Sequence, residues 1–291
     1  MRRPFTQVDV FTSVPYRGNP LAVVLDGKGL TTEEMQRFAC WTNLSETTFV
    51  LPPENPAADY RVRIFTTTSE LPFAGHPTLG TCHAWLAAGG TPKAAGSPEA
   101  GSPEAGSPEA GEIVQECGVG LVRVRRTEDG LAFSAPPLIR SGPVEEAFAA
   151  HVAALLRVDR SEIVDIEWAD NGPGWVAVLL RDADAVLAVE PGLVDCFIGV
   201  AGPHPEGAPY AFEMRAFCPF DGGTVEDPVT GSLNASVAQW LLRTGRASAP
   251  YVAAQGTRLG RSGRVHITTG DDGGVWVGGS TVTCVTGQVE L

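Results

Sequence analysis

Polar and apolar residues alternate with a period of two along most of this chain, and that alternation predicts strands. It runs through FTQVDVF (5–11), LAVVLD (21–26), TTFVL (47–51), DYRVRIF (59–65), VQECGVGLVRVRR (114–126) and LAFSA (131–135). It resumes in WVAVLL (175–180), YAFEMRAF (210–217), GRVHITT (263–269), VWVGG (275–279) and TVTCVTGQVEL (281–291). Helical spacing is rarer. Thr31 and Glu34 have the spacing of a capping box ahead of MQRFACW and predict a helix start. VEEAFAAHVAALLRV (144–158) is amphipathic and Ala-rich and predicts another. Two more are predicted after polar turns, in FAGHPTLGTCHAWL (73–86) and VEDPVTGSLNASVAQWL (225–241).

The two turns resemble each other. With Pro77 laid on Pro228, His76 meets Asp227, Gly80 meets Gly231 and Thr81 meets Ser232, a shared [His/Asp]-Pro-x-x-Gly-[Thr/Ser]. Upstream, RIFTTTSELPFAG and RAFCPFDGGTVE both run from an Arg-x-Phe strand into a short polar loop. A strand-rich chain with one apolar helix after each turn points to an α+β fold in which the sheet of each half wraps around its own helix. A parallel, doubly wound sheet is not expected. The halves are residues 1–129 and 130–291, the last strand being able to pack on the first domain. GSPEAGSPEAGSPEAG (96–111) interrupts the first half with a five-residue unit whose Pro and Gly defeat helix and sheet alike, and it reads as a flexible surface insertion.

Composition narrows the function. A hydrophobic fraction of 43% and a charged fraction of 19% describe a chain with ample core. The net charge of −13 argues against nucleic acid, whose binding needs clustered Lys and Arg. Arg123, Arg125 and Arg126 lie on the solvent side of an alternating strand. No basic, apolar, small-residue series opens the sequence and no apolar run nears about 18 residues, so a cytoplasmic protein without membrane contact is expected. The six cysteines are dispersed with no C-x-x-C pair, which argues against a metal site. Cys82 and Cys218 lie nearest the two turns.

The candidate chemistry sits at the turns. The start of a helix offers unpaired N–H groups and the positive end of a dipole, which suit a carboxylate or a developing negative charge. Two such starts facing across a cleft would put His76 and Asp227 on one carbon skeleton, able to remove a proton at one position and return it at another. Glu46, in TNLSETTFVL, stands between a helix and a strand among Leu44, Phe49 and Val50. Apolar surroundings raise a carboxyl pKa and make it a usable base. Asn19, in RGNP, is a candidate polar contact or a turn residue.

Taken together, VDVFTSVPYRGNPLAVV, NLSETTFV, VRIFTTTSELPFAGHPTLG, EDPVTGS, QGTRLGRSGRV and VWVGGSTVTCVTGQ resemble the phenazine-biosynthesis PhzF-like family, in order and across nearly the whole chain. The resemblance implies a diaminopimelate epimerase-like fold: two pseudo-symmetric domains, each a β-barrel-like sheet around a central helix. It also implies a homodimer, with no metal and no organic cofactor. The implied activity is isomerisation of a small carboxylated substrate such as trans-2,3-dihydro-3-hydroxyanthranilate. Glu46 would act as acid and base, His76 and Asp227 would assist, and Asn19, Gly75, Thr78, Gly231 and Ser232 would contact substrate. Epimerases of this fold carry a cysteine at each turn, where this chain has His76 and Asp227. An amino-acid epimerase and a non-catalytic binding module are the alternatives. Leu233 departs from the small residue common after Gly-Ser and is expected to trim the pocket.

Overall fold

A computed structural model of the protein describes residues 1–93, 111–220 and 222–291. The pentapeptide repeat, up to Ala110, lies outside the described residues. The first elements are β1 (Arg2–Val10), β2 (Asn19–Val24), α1 (Thr32–Thr42), β3 (Thr47–Leu51), β4 (Tyr60–Phe65), β5 (Glu70–Leu71), α2 (Gly75–Ala87), β6 (Ile113–Cys117), β7 (Gly120–Thr127) and β8 (Gly130–Ser134). There follow β9 (Arg140–Pro143), α3 (Glu146–Leu156), β10 (Ile163–Asp170), β11 (Val176–Leu180), α4 (Ala183–Ala188), β12 (Ile198–Pro203), β13 (Phe212–Phe220) and β14 (Gly223–Asp227). The chain closes with α5 (Gly231–Arg243), β15 (Tyr251–Gln255), β16 (Gly263–Thr269), β17 (Val275–Gly279) and β18 (Thr281–Glu290).

Local chemistry explains the starts and stops. Thr31 and Glu34 form the anticipated box: Glu34 N donates to Thr31 Oγ1 at 3.2 Å and Thr31 N donates to Glu34 Oε2 at 2.8 Å. Asn43, in the left-handed region with φ 55°, ends α1. The run VQECGVGLVRVRR, read as one strand, is two. It turns back at Gly118-Val119, and Gly120 takes φ 100°, which a residue with a side chain rarely adopts. Arg123 and Arg125 of β7 are half-buried and Arg126 is exposed, while Val122 and Val124, which alternate with them, are buried. Helix α4 had no counterpart in the sequence reading; Asp182 caps it by accepting from Ala185 N at 2.8 Å.

The chain divides into two compact units, Met1–Ser134 with Gly278–Leu291, and Ala135–Val277. Each has the same topology. In the first, β1/β2 is antiparallel, β2/β3 parallel, β3/β4 antiparallel, β4/β6 parallel and β6/β7 antiparallel. In the second, β10/β11, β11/β12, β12/β13, β13/β15 and β15/β16 repeat that order of senses. β18 adds antiparallel to β1, and β9 adds antiparallel to β10.

Helices α2 and α5 are the core helices of their units, buried along most of their length, and α5 buries Ser232, Asn234 and Ser236 beside its apolar side chains. Leu233 of α5 is one of the buried residues and does not trim a pocket. It packs on the sheet, so close to Gly199 of β12 that a Cβ there would lie 2.1 Å from Leu233 Cδ1. Gly199→Ala is therefore expected to cost about 1–3 kcal/mol of stability by overpacking. Leu233→Ala in the same chain should recover part of that cost, with a coupling of at least about 1 kcal/mol in a double-mutant cycle of urea unfolding. Strict additivity would mean the two groups do not compete for one space.

Candidate active site

Three sequence-predicted site residues meet inside the first unit. Asn19 opens β2, Glu46 immediately precedes β3, and His76 is the second residue of α2. Asn19 Nδ2 donates to His76 Nδ1 at 3.3 Å. That places the ring proton of His76 on Nε2, which lies 3.2 Å from Glu46 Oε2. Burial strips the imidazole of hydration and pushes its pKa down from 6.5 to about 3, so the ring is neutral. With the ring neutral, the contact with Glu46 is a close approach of polar atoms, neither an ion pair nor a hydrogen bond of good geometry. The side chain of Glu46 keeps 16% of its surface exposed, against 5% for His76.

The start of α2 supplies further donors. Its first intrahelical bond is Thr78 N to Ala74 O, so the N–H groups of Gly75 and His76 precede the helical ladder, and Pro77 has none. Thr78, expected to contact substrate, is placed otherwise. It is fully buried, its hydroxyl donates to Ala74 O at 2.9 Å and accepts from Gln115 Nε2 at 3.0 Å, so it braces the helix. Cys82 lies two turns in, buried beside Tyr60, and desolvation pushes its thiol up to about 12. It is a core residue. Cys218 is half-buried on β13.

In the second unit, Asp227 ends β14 and α5 begins four residues later at Gly231. Thr230 Oγ1 donates to Asp227 Oδ2 at 2.5 Å. Gln255 Nε2 donates to Thr230 Oγ1 at 3.0 Å and to Asp227 O at 3.2 Å. Gln255 Oε1 in turn accepts from Thr230 N at 3.0 Å and from Asn234 Nδ2 at 2.8 Å. One buried amide thus ties the turn to the helix. The first intrahelical bond is Asn234 N to Thr230 O, which leaves the N–H groups of Gly231, Ser232 and Leu233 ahead of the ladder. Gln255 stood in the motif QGTRLG with no role assigned; nothing local in the sequence says that it reaches the turn.

The structure corrects the register of the internal repeat. Arg63 grips Glu70 through Nε (2.7 Å) and Nη2 (2.6 Å), and Arg215 grips Glu226 through Nε (3.0 Å) and Nη2 (2.7 Å). Each guanidinium also covers the phenylalanine two residues on, Phe65 at 5.0 Å and Phe217 at 4.8 Å. From these clips the chain reads ELPFAGHPT in one unit and EDPVTGSLN in the other, so Pro72, not Pro77, matches Pro228. Gly75 then matches Gly231, and both begin their helices. His76 matches Ser232, and Asp227 matches Leu71.

The true match makes the two units chemically unlike. The places held by Glu46 and His76 are held in the second unit by Phe197 and Ser232, and the strand register sets Trp175 at the place of Leu21. Trp175 Nε1 donates to Ser232 Oγ at 3.1 Å, as Asn19 does to His76, and its ring meets Phe197 edge-on at 5.4 Å. No group of three or more His, Cys, Asp or Glu side chains among the described residues is arranged to hold a metal ion. No helix among them is long and apolar enough to cross a membrane.

A duplicated α+β fold of this kind, each unit a sheet around a central helix, belongs to the diaminopimelate epimerase-like class. Within that class the chain belongs to the phenazine biosynthesis-like (PhzC-PhzF) family, whose pattern it matches over residues 8–287. It is 34% identical over 278 residues to a trans-2,3-dihydro-3-hydroxyanthranilate isomerase of Pseudomonas aeruginosa, covering 90% of this chain and 88% of that one. It is also 34% identical over 306 residues to the Schizosaccharomyces pombe protein called antisense-enhancing sequence 1, covering 98% and 97%. The crystal structure of a Bacillus anthracis PhzF-family protein shares the fold with a TM-score of 0.79 at 23% identity, covering all of both chains.

Proposed function

We propose that this protein is an isomerase that moves a proton along the skeleton of a small cyclic amino or hydroxy acid, with trans-2,3-dihydro-3-hydroxyanthranilate as the first substrate to test. The observation that carries the reading is the Asn19, His76 and Glu46 set, a carboxyl group held against a neutral imidazole of defined tautomer. Glu46 as carboxylate takes a proton from carbon, and the resulting carboxylic acid returns it at another carbon of the same substrate, so no net charge or electron is transferred. His76 Nε2–H steadies the carboxylate and the substrate's polar substituent. In the second unit, the N–H groups of Gly231 and Ser232 ahead of the α5 ladder suit a carboxylate, and Asp227 suits a hydrogen-bond donor. The relative in Pseudomonas aeruginosa, named for this isomerisation, supports the reaction class. A homodimer in the cytoplasm is part of the same proposal.

An amino-acid epimerase needs an acid on one face of the α-carbon and a base on the other. At the positions that match Glu46 and His76 the second unit has Phe197 and Ser232, so the internal repeat does not duplicate the proton carriers, and the epimerase reading uses Glu46 with His76 or Asp227 instead. The test is incubation of the purified protein with trans-2,3-dihydro-3-hydroxyanthranilate in deuterated water, following absorbance and deuterium content, beside a panel of L-amino acids followed by loss of the α-hydrogen. Loss of the diene absorbance without α-hydrogen exchange is expected. Exchange in the amino acids alone would replace the isomerase with the epimerase.

A further inference from the structure

Asn19 has no exposed surface, so it meets no ligand directly. What it meets is the His76 ring, where its Nδ2 donates to Nδ1 at 3.3 Å. Each ring nitrogen of a neutral imidazole carries either a proton or an in-plane lone pair, never both. Burial keeps this ring neutral, its pKa pushed down to about 3. Acceptance at Nδ1 therefore settles both nitrogens at once: Nδ1 has the lone pair and Nε2 the proton.

The position of Asn19 is set from behind. Asp9 of β1 is 2% exposed, and its Oδ2 accepts from Gly18 N at 2.9 Å, one residue before β2 begins. Gly18 lies so close to β1 that a Cβ there would stand 2.1 Å from Val10 O and 2.7 Å from Thr12 Cγ2. The next residue, Asn19, pairs with Val10 and leads β2 into the antiparallel ladder. These contacts fix where β2 starts, and with it the amide that faces the ring. On the far side of the ring, His76 Nε2 is buried and has no hydrogen-bond partner among the described residues. Glu46 Oε2, 3.2 Å away, does not satisfy it in this geometry. A buried donor is costly to leave unmet, so Nε2 points to an acceptor that arrives with a ligand.

We propose that Asn19, anchored through Gly18 by Asp9, is a positioning residue that fixes His76 as the Nε2–H tautomer, so that the substrate must present a hydrogen-bond acceptor beside Glu46. This rests on the assignment of Glu46 and His76 to the substrate site. A carboxylate, carbonyl or hydroxyl oxygen meets the requirement, whereas an ammonium group sets a second donor against Nε2–H. The opposite tautomer would reverse the preference.

The test uses the full-length protein with 15N-labelled histidine, the His76 ring signals being those absent from His76→Phe. At about pH 7 the wild type is expected to show Nδ1 unprotonated and Nε2 protonated. Asn19→Asp replaces a donor with a group that only accepts, and His76 Nδ1 should then be protonated. Asp9→Leu should give a mixture of the two tautomers. Asp9→Asn, whose amide oxygen can still accept from Gly18 N, should restore the wild-type pattern. Anthranilate is the ligand probe, and its binding should move the His76 Nε2–H proton signal downfield. By calorimetry Asn19→Leu should weaken that binding about threefold or more, and no further in the His76→Phe background. A wild type with its proton on Nδ1, or an Asn19→Asp variant with the wild-type tautomer, overturns the role of Asn19. An unmixed wild-type pattern in Asp9→Leu overturns the role of Asp9. Anthranilate that binds without moving the Nε2–H signal overturns the acceptor requirement. Anthranilate that does not bind the wild type overturns instead the substrate reading beneath it, and the ring signals then decide the tautomer alone.

Discussion

Glu46→Gln is expected to lower turnover of the isomerised substrate by about a thousandfold while ligand affinity stays within a few-fold of wild type. The substituted amide has the shape of the carboxyl group and can keep its place 3.2 Å from His76 Nε2, so the packing is kept. What it lacks is the capacity to take a proton from carbon near neutral pH. Steady-state rates with trans-2,3-dihydro-3-hydroxyanthranilate and calorimetric affinities for anthranilate separate the two properties. A variant with the wild-type rate would remove Glu46 as the base, and a variant that binds nothing would make its role structural.

The second large effect is on stability. His76 has a folded pKa pushed down to about 3 by burial, against 6.5 when exposed. Below about pH 6.5 the unfolded chain binds a proton that the native state refuses, so this residue lowers stability progressively as pH falls toward 3. At roughly 1.4 kcal/mol per pH unit, the loss between pH 7 and pH 4 is about 3 kcal/mol. His76→Gln removes the titration and leaves the carboxylates of the chain as they are. Urea unfolding at the two pH values should show a drop about 3 kcal/mol larger in the wild type than in the variant. Equal drops would mean that the native imidazole titrates near its ordinary value. The pH–rate profile should also lack a limb from this imidazole between pH 5 and 8.

Both expectations depend on how the α2 turn is built, which the sequence showed only in part. The local signals were legible because their physics is local. The Thr31–Glu34 box, the alternation of Arg123, Val124 and Arg125, and the apolar run of α2 each follow from a few adjacent side chains. Helix α4 escaped because six residues make less than two turns and show no period. The turn between β6 and β7 escaped because the alternation continues on either side of it.

His76, Glu46 and Asn19 were each found singly, from polar residues in apolar or turn settings, but their meeting was not. They are far apart in sequence, and only the parallel pairing of β2 with β3 and the burial of α2 bring them together. The supporting residues were invisible for the same reason. Trp175 and Asn171 reach the α5 start through one hydrogen bond each and Gln255 through four, all across long stretches of chain.

The sequence by itself determined that the chain is duplicated, since two apolar helices following Pro-containing turns are a pattern of adjacent residues. It also determined the chemistry on offer, carboxyl groups and an imidazole beside polar turns. The register of the duplication was decided by tertiary structure alone. Pro77 on Pro228 and Pro72 on Pro228 both satisfy a short pattern, and letters do not choose between them. The choice lies in the Arg63–Glu70 and Arg215–Glu226 clips and in which N–H makes the first helical bond. Those contacts form only in the folded chain, and they turn an apparent pair of equivalent turns into one unit with a carboxyl group beside an imidazole and one whose matching positions are a phenylalanine ring and a hydroxyl.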